Sequence, residues 1–160
     1  MKLPKNFFNL VRVILAISLA GIVAGINLPL STLTLKSWGI SSSIIGLAAS
    51  MMGLSAAVTT PFLPRMVNRF GQINVLRISL ITLPLAILAL PLFQNLYAWF
   101  FFRFIIGLAA TIIWVLSEIW INSFAEDKNR GRIIAIYTSL LSLGFILGVL
   151  IMSFTSVETF

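Results

Sequence analysis

Two charged side chains of this sequence stand within apolar runs, and one segment carries both. It reads Trp99-Phe100-Phe101-Phe102-Arg103-Phe104-Ile105-Ile106-Gly107 and continues through Trp114, Glu118, Trp120 and Asn122. Arginine keeps its proton and presents five N–H donors, so Arg103 suits attraction of an anionic group or modulation of a nearby carboxylate. A carboxyl withdrawn from water, such as Glu118, suits taking up and releasing a proton. At about 100° per residue, Gly107, Ala110, Trp114 and Glu118 fall within about 60° of Arg103, on one stripe of a helix. Glu118 lies about 22 Å further along the axis, too far for a direct pair. An isolated charge at mid-bilayer costs about 2.5–3.5 kcal/mol on insertion scales, so such residues tend to face a protein interior or an aqueous cavity. The competing reading has both side chains snorkelling to the two interfaces. The depth of Arg103 and its phenylalanine neighbours favour a cavity, whereas Glu118 is open to either.

Further polar groups recur near the N-terminus as Asn27, Ser31, Thr32 and Thr34, with Pro29 among them. Proline frees a backbone carbonyl, which is tolerated where neighbours or a cavity satisfy it. Asn27 is a candidate donor to a solute, or equally a hydrogen-bond partner of a neighbouring helix. Gly144 and Gly148, four residues apart, allow close helix approach, as do Gly21 and Gly25; intramolecular packing is the first reading and a dimer interface the second.

These residues need elements to hold them, and the composition says which. Of 160 residues, 59% are hydrophobic and 9% charged. An ordinary soluble domain has about 25% charged residues, so the solvent of this chain is largely lipid. A spanning helix needs about 20 apolar residues. Five stretches qualify, approximately 11–34, 43–64, 74–93, 97–123 and 133–154, predicting one all-α polytopic membrane helix bundle over residues 1–160. The first stretch, preceded by Lys2 and Lys5, is too long for a signal-peptide core and has no convincing cleavage site, so it is expected to be retained.

Cysteine and histidine are absent, and Glu118, Glu126, Asp127 and Glu158 are the only acids. Hydrolase triads, thiolate sites and carboxylate metal cages are thereby excluded, and no metal or cofactor is expected. The net charge of +7 forms no basic stripe with interleaved aromatics, so nucleic acid is not an expected partner. The basic residues record orientation instead. Lys2, Lys5, Arg12, Arg65, Arg69, Arg77, Lys128, Arg130 and Arg132 fall on one side and Lys36 on the other. The positive-inside rule then puts the N-terminus in the cytoplasm and the C-terminus outside.

Two connections on the basic side combine glycine with arginine: Arg65-Met66-Val67-Asn68-Arg69-Phe70-Gly71 and Glu126-Asp127-Lys128-Asn129-Arg130-Gly131-Arg132. Glycine can turn the chain with positive φ, and arginine can bind helix-terminal carbonyls or a carboxylate. A solvated, orientation-setting loop is the competing reading.

Together these features resemble the N-terminal part of a major facilitator superfamily transporter. Arg69 and Gly71 match two positions of the family's G-x-x-x-D-R-x-G-R connection, and Arg103 with Gly107 match its R-x-x-x-G pattern. The run Ile113-Trp114 to Glu118, then Asn129-Arg130-Gly131-Arg132 and Tyr137, is similar to the YcaD-like bacterial branch. Pro64, Asn68 and Gln72 depart from the first pattern, and the missing Asp charge puts electrostatic gating there in doubt. Phe145 stands where an antiporter-type G-P pattern has proline.

The resemblance implies the N-terminal part of a secondary active transporter in the bacterial inner membrane. It would move a small solute by alternating access, with coupling to protons as one option. Asn27, Arg103, Trp114 and Glu118 would line the solute or proton path. Asn68, Arg69, Gly71, Asn129, Arg130, Gly131 and Arg132 would form gating loops, with Gly107, Gly144 and Gly148 at helix contacts. Relatives of this type carry two six-helix bundles, so five helices are expected to be inactive without the second bundle, from the same gene or a second chain. The alternative is a non-transporting structural or regulatory membrane subunit docking through the Gly144/Gly148 face. An embedded enzyme is the weakest reading.

Overall fold

The computed structural model describes residues 7–124 and 130–154. Five helices account for nearly all of them: α1 Phe7–Ser37, α2 Ser42–Phe70, α3 Gln72–Ala89, α4 Leu96–Phe124 and α5 Arg130–Phe154. Each contains a stretch long and apolar enough to cross a membrane. Among the described residues the protein is therefore all-α, with five helices that can span a membrane. Its contacts divide into two compact units, one of Met1–Ile40 with Ser117–Phe160 and the other of Ser41–Leu116. The α4 helix contributes to both.

In the Ser41–Leu116 unit, α2 begins after an extended Ser41 and runs to Phe70. The sequence suggested a stop near Pro64, but the helix passes through both Pro61 and Pro64. Each proline deprives a carbonyl one turn back, at Ala57 and Thr60, of its usual donor without forcing the chain out of the helix. What ends α2 is Gly71, at φ 80°, whose N–H still donates to the Val67 carbonyl at 2.9 Å. The connection is thus a single residue, and Asn68 and Arg69 belong to the last turn of α2. Arg69 is well placed there, because a cation suits the negative end of a helix.

Leu63, Val75, Ile112 and Leu116 bury one another at the core of this unit, joined by Met66, Val67, Leu76 and Val115. Buried hydroxyls turn inward on their own helices. Ser55 donates to the Met52 carbonyl at 2.7 Å, Thr59 to Ser55 at 2.7 Å and Ser79 to Val75 at 2.9 Å. Such back-bonds let polar side chains sit in an apolar medium without seeking water.

A short 3₁₀ turn, Leu90–Leu92, follows α3. The indole N–H of Trp99 donates to the Phe93 carbonyl at 2.9 Å, and the Phe93 and Phe102 rings lie 5.4 Å apart. Asn95 caps α4, its Oδ1 accepting the Tyr97 N–H at 2.9 Å. Asn95→Ala is expected to cost about 1 kcal/mol by freeing that donor. Thermal unfolding in detergent checks it, and an unchanged midpoint would show that water replaces the cap.

In the other unit α1 and α5 pack along each other. Gly21 and Gly25 of α1 face Gly144 and Gly148 of α5 so closely that backbone meets backbone. A Cβ at Gly25 would collide with the Phe145 carbonyl, and one at Gly148 with the Ile22 carbonyl. Lipid gives no hydrophobic push between helices, so close van der Waals contact must supply the attraction. A second cluster, Ile121 with Tyr137, Ile133, Ile134 and Leu141, ties the end of α4 to α5.

Candidate functional site

Among the described residues Arg103 is the largest of the fully buried side chains, 2% exposed. It sits on α4 one turn before Gly107, and both face the same stretch of α2. A Cβ at Gly107 would run into the Ser55 hydroxyl and come within 3.0 Å of the Met52 Cα. The glycine therefore brings α2 against α4 where the arginine must be accommodated. Arg103 Nη1 lies 3.9 Å from the Met52 thioether sulfur, and its Nε is buried without a hydrogen-bond partner. Sulfur is a weak acceptor. Residues Ser41–Leu116 include no Asp or Glu, so this unit supplies no carboxylate to the guanidinium. A buried cation lacking a paired anion is costly, and chains retain such groups where they contact something that moves.

The rest of the α4 stripe emerges progressively. Ala110 is half-buried, whereas Trp114 and Glu118 are exposed. Trp114 belongs to the unit of Arg103 and Glu118 to the other; within its unit Arg103 has Met52 beside it, and Gly107, one turn on, meets Met52 and Ser55. Asn27, which belongs to the other unit, is buried. Met52 and Ser55 escaped the sequence reading. Gly107 carried the available signal, since a glycine in a spanning helix calls for a close neighbour.

At the basic ends of the helices, Asn68, Arg69 and Gly71 are exposed. The Arg65 guanidinium lies 5.7 Å from the Phe62 ring centroid and that of Arg69 lies 5.4 Å from Phe70. Both are at cation–π distance. Arg130, Gly131 and Arg132 form the first turn of α5 rather than a loop. Arg130 Nε donates to Asn122 Oδ1 at 3.3 Å, linking α5 to the end of α4. Asn129 lies outside the described residues. Gly144 and Gly148 are covered by α1, which leaves that face unavailable for docking another protein.

The family model described as Major Facilitator Superfamily matches residues 13–159. The chain is similar to an uncharacterized MFS-type transporter, YfkF, of Bacillus subtilis, with 25% identity over 88% of this chain and 36% of that protein. Multidrug resistance protein 2 of the same organism is 25% identical over 78% of this chain and 31% of its own length. An uncharacterized MFS-type transporter of Yersinia pestis is 27% identical over 71% of this chain and 30% of its own length. The matched region spans about a third of the length of these curated relatives. No solved structure matches the chain.

Proposed function

This chain belongs to the major facilitator superfamily, a family of carriers rather than enzymes, and we propose that it supplies five helices of a secondary transporter working by alternating access. It is a multi-pass protein of the inner membrane. The rest of a two-bundle carrier comes from further sequence of the same polypeptide or from a second chain. Arg103 carries the reading: a buried guanidinium with a thioether beside it and a free Nε suits an anionic solute or the carboxylate of a coupling step. Asn27, Trp114 and Glu118 are proposed as further contacts of the solute or its proton. The finer likeness to the YcaD-like branch rests on Glu118 with Asn129-Arg130-Gly131-Arg132. The nine-to-one distribution of basic residues supports an N-terminus in the cytoplasm.

Glu118 is the acid within the five spans and hence the proposed proton carrier. In the complete carrier, Glu118→Gln is expected to abolish solute accumulation driven by a pH gradient while leaving solute exchange intact. Accumulation at the wild-type level would overturn the coupling role.

A further inference from the structure

Glu118 is an exposed carboxyl on α4, and the register of α4 against α5 decides what stands beside it. Glu118 and all of α5 belong to one unit, Met1–Ile40 with Ser117–Phe160. Two contacts fix the register. Asn122 Oδ1 accepts the Arg130 Nε–H at 3.3 Å, and Ile121 packs with Tyr137 amid Ile133, Ile134 and Leu141. Residues earlier on α4 therefore meet residues later on α5, as in an antiparallel pair. At about 100° per residue, Glu118 lies about 40° from Asn122 and about 60° from Ile121, on the α4 face that meets α5. On α5, Ile134, Tyr137 and Leu141 all fall within about 40° of Arg130. Along the axes Glu118 is about 6 Å from Asn122, and Tyr137 about 10 Å from Arg130. Helical side chains lean toward the N-terminus of their own helix, which in an antiparallel pair carries the Glu118 carboxyl and the Tyr137 ring toward one level.

Tyr137 is 4% exposed, and the Glu118 charge acts on its hydroxyl. The two groups are not hydrogen-bonded in this conformation, and the exposed Glu118 side chain is free to turn toward the ring. The packed α5 face otherwise presents Ile133, Ile134 and Leu141 there, so the hydroxyl is its polar group. The described cations of this unit are Arg130 and Arg132 in the first turn of α5 and Lys36 in the last turn of α1, with Arg130 joined to Asn122. A phenol donates one O–H and keeps its own proton near neutral pH. Donation to a carboxylate favours the charged form over the neutral acid. We propose that Tyr137 is a positioning residue for Glu118, its hydroxyl donating to the ionised carboxylate and thereby setting the pH at which that carboxyl takes up a proton. The proton gained or lost belongs to Glu118 throughout. The place of this pair in coupling rests on the proton-carrier reading of Glu118, whereas the pairing itself can be read without transport.

Dicyclohexylcarbodiimide modifies protonated carboxyls in apolar surroundings, so its reaction with the complete carrier across a pH series tests the pair. Labelling is followed by mass spectrometry at the peptide that contains Glu118, with Glu118→Gln as the blank. Tyr137→Phe keeps the ring and removes the donor. It is expected to move the midpoint of Glu118 labelling about one unit to higher pH, the scale of one hydrogen bond to a carboxylate. Ile134→Val loosens the same cluster without touching the hydroxyl and should leave the midpoint in place. In transport, the Tyr137→Phe carrier should keep solute exchange while the pH dependence of gradient-driven accumulation moves in the same direction. An unmoved labelling midpoint in Tyr137→Phe would overturn the pairing. Equal shifts in Tyr137→Phe and Ile134→Val would overturn it too, because packing would then be the cause. A labelling shift specific to Tyr137→Phe supports the pair even if Glu118→Gln accumulates solute normally, a result that would remove the proton-carrier reading alone.

Discussion

Gly148→Leu is expected to prevent stable pairing of α1 with α5, while Gly53→Leu leaves the fold intact. The contrast follows from what surrounds each position. A Cβ at Gly148 would meet the Ile22 carbonyl and the Gly25 backbone at 3.0 Å, whereas one at Gly53 would meet nothing within 4 Å. Flexible side chains can turn aside from an added group, but carbonyls of a regular helix cannot, so the two helices must separate. Separation forfeits van der Waals contact at all four glycines together, because Gly21, Gly25, Gly144 and Gly148 share one line of closest approach. Overpacking costs about 1–3 kcal/mol in ordinary cores, and the rigid partners here place this site at or above the top of that range. Gly53→Ala should even stabilise by up to about 1 kcal/mol, since glycine is a poor helix former. Size-exclusion profiles and thermal unfolding in detergent would read both variants. A Gly148→Leu protein as monodisperse and heat-stable as wild type would show that α1 and α5 are not held by this contact.

The five spans were legible because lipid as solvent imposes one rule along the whole chain: sustained apolar composition over a fixed length. Their ends were less so. Pro64 reads as a stop on the rules for soluble helices, yet α2 continues to Phe70, since a spanning helix tolerates freed carbonyls that its surroundings can satisfy. Gly71 is the true break, and only its positive φ reveals that. Likewise the residues from Arg130 onward read as a basic loop, whereas they open α5. Local composition there reports which side of the membrane the chain has reached, which is a different quantity from backbone conformation.

The candidate site was half legible for a related reason. Charge inside an apolar run marks Arg103, and helical spacing aligns Gly107 with it. That spacing also aligned Glu118 with Arg103, and angle alone does not distinguish the two. Burial separates them: one is enclosed with Met52 beside it and the other is exposed. Periodicity gives the direction of a side chain from its own axis, but which neighbour stands in that direction depends on residues about 50 positions earlier in the chain. Gln72 was named only as a departure from a motif. Its amide Nε2 is buried without a hydrogen-bond partner, which depends on packing that a motif does not report.

In the complete carrier, Arg103→Leu is expected to leave the protein at least as stable as wild type and to eliminate the solute binding proposed above. Stability should hold because the guanidinium receives little in return for its burial: a thioether at 3.9 Å and an Nε with no acceptor. Leucine occupies an apolar site without that penalty, and replacing a poorly compensated buried charge by a hydrophobic residue is often neutral or stabilising by about 1–4 kcal/mol. Binding should fail because the positive charge is what an anionic solute group would meet. A thermal-shift screen of small anionic solutes reads both at once, since a ligand at 100 times its Kd stabilises the folded state by about 2.7 kcal/mol. Wild type should show a shifted midpoint with some member of the set, and Arg103→Leu should show none while unfolding no earlier in the absence of ligand. Arg103→Lys, which keeps the charge and loses the planar fork, should retain a weakened response. If Arg103→Leu instead unfolds several degrees earlier, the arginine is a structural brace between α2 and α4, and its place on the transport path falls.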